Sequence, residues 1–179
     1  MKNIVITSVL VVFSAFVSKA QTTGTANLNI TLSNVLSMTV TQPASLSVDF
    51  NTEQKYSDGI TALAVDHISV ISNKGFLIKA VSGIISGSSS LSSSSIKLTA
   101  LIGTTNQGNT VGLSFSSNIV LPPAGGTSLD IISSSNSTWN GSNSTNKFNI
   151  EYSIGALGAY ANKTTGANVI PVIYSITQP

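Results

Sequence analysis

His67 is the one histidine in the chain, and the only side chain here whose ordinary pKa lies near neutrality, so acid–base chemistry would begin with it. Asp66 beside it, or Asp130 further on, would be the carboxylate of a Ser-His-Asp arrangement. Against that, Ala64-Val65-Asp66-His67-Ile68-Ser69 alternates as a strand does, and no Gly-x-Ser-x-Gly elbow lies nearby. A histidine held by hydrogen bonds within a strand is the plainer expectation. Glu53 and Glu151 are the only glutamates, and no pocket motif surrounds either, so the pair of carboxyl groups a glycosidase needs is not indicated. The absence of cysteine excludes thiol catalysis and zinc–thiolate centres, and a single histidine cannot build a His-rich metal centre. No catalytic residue is assigned, and the chain is read as a non-enzyme.

Oxygen ligands are better supplied. Asp49, Asn51, Glu53, Asp58 and Asp66 put four of the six carboxylates into one short stretch, and hard cations such as calcium want such donors. The spacing is not that of an EF-hand loop, and the same residues serve equally as turn formers and edge-protecting charges. Trp139, in the run from Asn136 to Thr145, is an aromatic ring framed by amides and hydroxyls, and with Asn136 and Asn140 it makes the best glycan-binding candidate. The alternative is a loop anchor folded over the rim of the domain. Asn-x-Ser/Thr sequons begin at Asn29, Asn136, Asn140, Asn143 and Asn162, three of them inside that low-complexity loop.

The elements that must position these residues are strands. Apolar side chains recur at period two almost throughout, and no helical stripe persists beyond the first twenty residues. Ala26, Leu28, Ile30 and Leu32 share one face of a first strand, which continues in phase through Leu36, Met38 and Val40. Leu46, Val48 and Phe50 suggest a short second strand after Gln42-Pro43, and the polar stretch from Asn51 to Thr61, with Asp58-Gly59, reads as a connection. The clearest hairpin joins Val65–Ser72 to Phe76–Val81 through Asn73-Lys74-Gly75, with the glycine expected in a left-handed conformation. A Ser-rich loop spans Gly87 to Ser95. Strands follow around Ile96–Ile102, Val111–Phe115, Ile119–Leu121 and Leu129–Ile131, and two strong ones close the chain at Phe148–Ile154 and Ile170–Ile176. Eight to ten short strands, each with one apolar face, specify an all-β fold: a single immunoglobulin-like two-sheet β-sandwich over residues 21–179.

Met1 to Ala20 has the form of a signal peptide, with Lys2, an apolar stretch from Ile4 to Val17, and Ser18-Lys19-Ala20 as the cleavage site. The apolar stretch is shorter than the ~20 residues that span a bilayer, so the mature chain is expected to carry no transmembrane segment. Removal of the leader leaves six lysines against six carboxylates and no arginine, a formally neutral chain without a footprint for nucleic acid. Charged residues are only 8 % of the chain, and a protein near zero net charge repels its own copies weakly.

The runs Val48-Asp49-Phe50-Asn51-Thr52, Tyr56-Ser57-Asp58-Gly59-Ile60, His67-Ile68-Ser69-Val70, Gly75-Phe76-Leu77-Ile78-Lys79-Ala80 and Val172-Ile173-Tyr174-Ser175-Ile176-Thr177 resemble a group of small exported bacterial β-sandwich proteins of largely unassigned function, similar in build to fimbrial (pilin-like) subunits. The chain lacks the cysteines that usher-assembled pilins commonly pair and that lipoprotein pilins acylate. The resemblance implies a secreted protein of the periplasm, cell surface or extracellular space, structural or adhesive, with itself or other surface subunits as partners. Residues 21–33 would then be a strand available for exchange, with Ala26, Leu28, Ile30 and Leu32 as its assembly face; the alternative is that this strand pairs within its own sandwich. A monomeric glycan- or cell-wall-binding module using the Trp139 loop is the competing expectation.

Overall fold

The period-two alternation is realised as two antiparallel sheets packed face to face. The structure, a computed structural model, describes residues 27–41 and 46–179. The chain divides into two units at Leu32/Ser33. Of the first, only residues 27–32 are described, and they carry no regular secondary structure. The expected signal peptide and Ala26 lie outside the described residues, as does the Gln42-Pro43 break.

The second unit contains β1 (Leu36–Val40), β2 (Ile60–Ser72), β3 (Phe76–Ser82), β4 (Ser86–Gly87), β5 (Ile96–Ile102), β6 (Leu113–Phe115), β7 (Ile119–Val120), β8 (Leu129–Ser134), β9 (Asn146–Ile154), β10 (Asn168–Val169) and β11 (Val172–Thr177). One sheet has the order β1-β2-β9-β5-β7, the other β11-β3-β8-β6, and β4 and β10 form a two-residue ribbon. The inner faces meet in one core: Ile68, Val70, Leu98, Phe148 and Ile150 from the first sheet, Phe76, Ile78, Ala80, Ile131 and Ile132 from the second. Phe76 and Phe148 touch across the layers with ring centroids 6.2 Å apart. The sandwich follows the alternation, because a sheet with one apolar face must bury it against another. The count of eleven strands among the described residues exceeds the expected eight to ten by the short strands β4 and β10 among others.

The pairing departs from the expected hairpin. β2 lies between β1 and β9, β3 between β11 and β8, and the two are not partners. Asn73-Lys74-Gly75 crosses from one layer to the other, a gap of ~10 Å that three residues at ~3.3 Å each can span. Asn73 serves β1 instead: its Oδ1 accepts from Val35 N–H at 2.9 Å, its Nδ2 donates to the Ser33 carbonyl at 2.8 Å and its own N–H donates to the Val35 carbonyl at 3.1 Å. Gly75 does not take a left-handed conformation. A Cβ there would stand 2.6 Å from the Ser134 carbonyl oxygen of β8, so close backbone approach is what demands glycine. The long first strand is also shorter than expected, since β1 begins only at Leu36, and residues 46–50 form no strand.

Within the presumed connection, Glu53–Asp58 forms a helix, α1. Thr52 caps it, its Oγ1 accepting from Lys55 N–H at 3.4 Å, and Gly59 ends it at φ +79°, its N–H donating to the Lys55 carbonyl. A Thr cap followed by an acidic first turn and a terminal glycine is a legible helix signature, which the charge count obscured. Among the described residues no helix is long and apolar enough to cross a membrane.

Candidate functional site

The two edge strands β1 and β11 expose what an interior strand would hide. Leu36, Met38 and Val40 of β1 stand opposite Ser72, Val70 and Ile68 of β2, so they share the inward face of the first sheet. Val172, Tyr174 and Ile176 of β11 stand opposite Ser82, Ala80 and Ile78 of β3, on the inward face of the second. The β3 partners are fully buried, whereas the β11 row is half-buried, Leu36 is exposed and Val40 is 48 % exposed. Among the described residues, therefore, two inward apolar rows border a core that is not sealed on this side. Gln178 closes one end, its Nε2 donating to the Val35 carbonyl and to Ser72 Oγ, each at 2.8 Å.

Neither edge is defended. No charged residue occurs from Ser33 to Val48 or from Thr164 to Pro179, and each strand has one ladder partner among the described residues. Lysines, bulges or prolines within a strand ordinarily blunt such edges. Leu28, Ile30 and Leu32, the described part of the predicted assembly face, are 83 %, 72 % and 89 % exposed.

A chain of polar groups runs beneath the slot. Ala64 pairs with Ile150 and Ile68 with Phe148, so three residues of β2 face the single Asn149 of β9. Asp66, at φ +48°, forms this bulge, and its N–H donates to Asn149 Oδ1 at 2.7 Å. The bulge turns His67 into the interior beside Ile68. His67 Nδ1 donates to the Thr41 carbonyl at 2.9 Å, which leaves Nε2 to accept from Tyr152 Oη at 3.2 Å; Tyr152 Oη in turn accepts from Tyr174 Oη at 2.6 Å. Burial lowers the His67 pKa against the opposing pull of the Thr41 carbonyl, and raises those of Tyr152 and Tyr174. The chain links the two sheets, and among the described residues neither Asp66, Asp130 nor a serine hydrogen-bonds the imidazole.

The carboxylates are dispersed among structural partners. Burial pushes the Asp66 carboxyl up, but the hydroxyl and amide of Thr105 and the Lys147 charge outweigh it and hold it below its ordinary value. Asp130 pairs with Lys79 at 2.9 Å. Asp49 accepts from Asn51, Asp58 accepts from Gln54, and Glu53 sits in the first turn of α1. The cation beside Asp49 and Asn51 belongs to the chain: Lys55 Nζ donates to the Asp49 carbonyl at 2.9 Å and to Asn51 Oδ1 at 2.8 Å. Among the described residues no three acidic or histidine side chains come together as a metal cage. The fourfold calcium candidate of Asp49, Glu53, Asp58 and Asp66 is thus not assembled. Glu151 lies on β9 opposite Leu63 and Thr99, whereas Glu53 sits on α1.

In the Asn136–Thr145 loop the anchor is Thr138, fully buried, rather than Trp139. Its N–H donates to the Ser72 carbonyl at 2.8 Å, and its Oγ1 accepts from Ser72 N–H and donates to the Ser144 carbonyl. Trp139 remains 43 % exposed. The amides expected to accompany it are spent on the fold, Asn136 Nδ2 on the Val111 carbonyl and Asn140 Nδ2 on that of Gln107. Sequence reasoning missed the slot because its signal, half-burial of inward positions, exists only once strand neighbours are known.

No family model matches the chain, and no curated protein is significantly similar to it.

Proposed function

We propose that this is an exported, non-enzymatic structural or adhesive subunit, similar in manner to pilins, and that copies join when the N-terminal segment of one enters the slot between β1 and β11 of the next. The carrying observation is the unsealed core, in which the inward rows Leu36-Met38-Val40 and Val172-Tyr174-Ile176 remain partly exposed beside two charge-free edges. The occupant is a second copy of the chain. Asn27–Leu32 offers Leu28, Ile30 and Leu32 at the period-two spacing such rows accept, with exposed backbone to complete a ladder. Charge neutrality after loss of Lys2 and Lys19 supports close approach of copies.

Light scattering after size exclusion tests this on residues 21–179, on a form starting at Ser33, and on the full mature chain with Leu28, Ile30 and Leu32 all changed to Asp. Oligomers are expected from the first alone, and a synthetic peptide of residues 25–33 should bind the shortened form. A monomeric parent, or oligomers that persist in both altered forms, would overturn the reading. The exposure of Trp139 supports a second, glycan-binding reading; glycan-array signal abolished by Trp139→Ala would favour it over assembly.

A further inference from the structure

A second open feature lies away from the slot. Between the start of β5, the end of β9 and the turn that follows it is a cleft of about 380 Å³, bordered by Ser92, Ser94, Lys97, Ser153, Leu157 and Lys163. Its volume falls within the ~300–1,000 Å³ range of small-ligand sites. Lys97 projects from β5 directly opposite Ser153 of β9. Its floor is fixed: Tyr160 is buried, its Oη is 2.7 Å from Ser95 Oγ, and its ring packs edge-on against Phe50 at 5.0 Å.

Three observations give the cleft a chemistry. The first is charge: it holds two lysines and no lining carboxylate, in a mature chain whose lysines and carboxylates balance. Lys55, Lys79 and Lys147 each give their ammonium to an oxygen of the chain, whereas Lys97 and Lys163, like Lys74 on the β2–β3 link, have no such partner among the described residues. The second is the hydroxyl lining, which supplies both donors and acceptors. The third is Leu157, which is 96 % exposed at φ +59°. A bulky side chain held in the left-handed region is strained, and such strain collects where a ligand is met.

From these we infer that the cleft binds a carboxylated saccharide, with Lys97 and Lys163 on the carboxylate, the serine hydroxyls on the ring hydroxyls, and Leu157 against the apolar face of the ring. Two ammonium groups supply the positive charge that a sugar's carboxylate needs, and the phosphate control separates this from capture of any small anion. The cleft shares no lining residue with the slot rows.

Titration of the mature chain with digalacturonate and with a hyaluronan tetrasaccharide, followed by amide chemical shifts, tests the proposal. Saturable binding of at least one is expected, with shifts centred on Lys97, Ser153 and Leu157. The methyl ester of digalacturonate and inorganic phosphate serve as controls. The double variant Lys97→Gln/Lys163→Gln should weaken binding at least tenfold while leaving the circular dichroism spectrum and melting temperature unchanged, because both side chains are exposed. Absence of saturation by either saccharide below ~10 mM, equal affinity for acid and ester, tighter binding of phosphate, or unchanged affinity in the double variant would each overturn it.

Discussion

His67 shows how one residue can be chemically prominent in a sequence and structurally ordinary in a fold. Its two ring nitrogens serve the Thr41 carbonyl and Tyr152 Oη, and burial depresses its pKa below the ordinary 6.5. The unfolded chain therefore binds the proton more readily than the folded one. Stability contributed by this group is present above the unfolded pKa and is lost as pH falls through the folded value. Because it is the only histidine, the midpoint of urea unfolding in the parent should decrease as pH is lowered from about 7.5 to about 5.5. In His67→Gln the midpoint should hold nearly level over that interval, and an equal slope in the variant would assign the effect elsewhere. Protonation also reverses the direction of donation along His67, Tyr152 and Tyr174, leaving the Tyr174 hydroxyl to find a new acceptor beside the slot.

At the scale of elements, the alternation of apolar residues was legible and the pairing of strands was not. β3, β5, β8, β9 and β11 lie close to where period two puts them, because each buries one face, whereas β2 begins at Ile60, inside the expected connection, and its alternation breaks at the Asp66 bulge. The expected hairpin failed since a three-residue link containing glycine serves a crossing between layers as readily as a tight turn; only the partners of each strand distinguish them. The role of Gly75 follows from that geometry. Gly75→Ala should cost ~1–3 kcal/mol by forcing β8 away at the Ser134 carbonyl, a shift measurable in the urea midpoint. A hairpin glycine in the left-handed region would have shown strain of a different origin, relieved by Asn, whereas here Asn should be no better than Ala. The candidate sites divide in the same way. Leu28, Ile30 and Leu32 announce themselves by spacing, but the slot and the Lys97–Lys163 cleft are made by residues far apart in sequence, the slot on the β1–β2 and β3–β11 ladders and the cleft on the β5–β9 ladder.

For the molecule as a whole, scarcity of charge sets how its two proposed interactions respond to salt. The slot is lined by apolar rows, and neither edge strand carries a charge, so association through it should change little between low and high ionic strength. Contact between a carboxylate and exposed lysines is screened, so saccharide affinity should fall several-fold over the same range. Light scattering and shift titrations at two sodium chloride concentrations compare them directly. An assembly dissolved by salt would point to Lys97 and Lys163, rather than the slot, as the joining surface.

From β2 onward, leaving aside the β4–β10 ribbon, successive strands belong to alternate sheets: β2, β5, β7 and β9 to one, β3, β6, β8 and β11 to the other. This architecture has a kinetic side. After β1 and β2, no strand meets its ladder partner next in line. β2 waits for β9, some seventy residues downstream, and β3 for β11. Contacts so remote in sequence require closure of long loops before any stabilisation is gained, and they place refolding in the slow, millisecond-to-second class of β-proteins. A chain emerging from its N-terminus cannot complete the first sheet's central ladders until Asn146–Ile154 has appeared. Until then it carries its apolar rows unpaired, and its survival in that interval depends on what else is present to cover them.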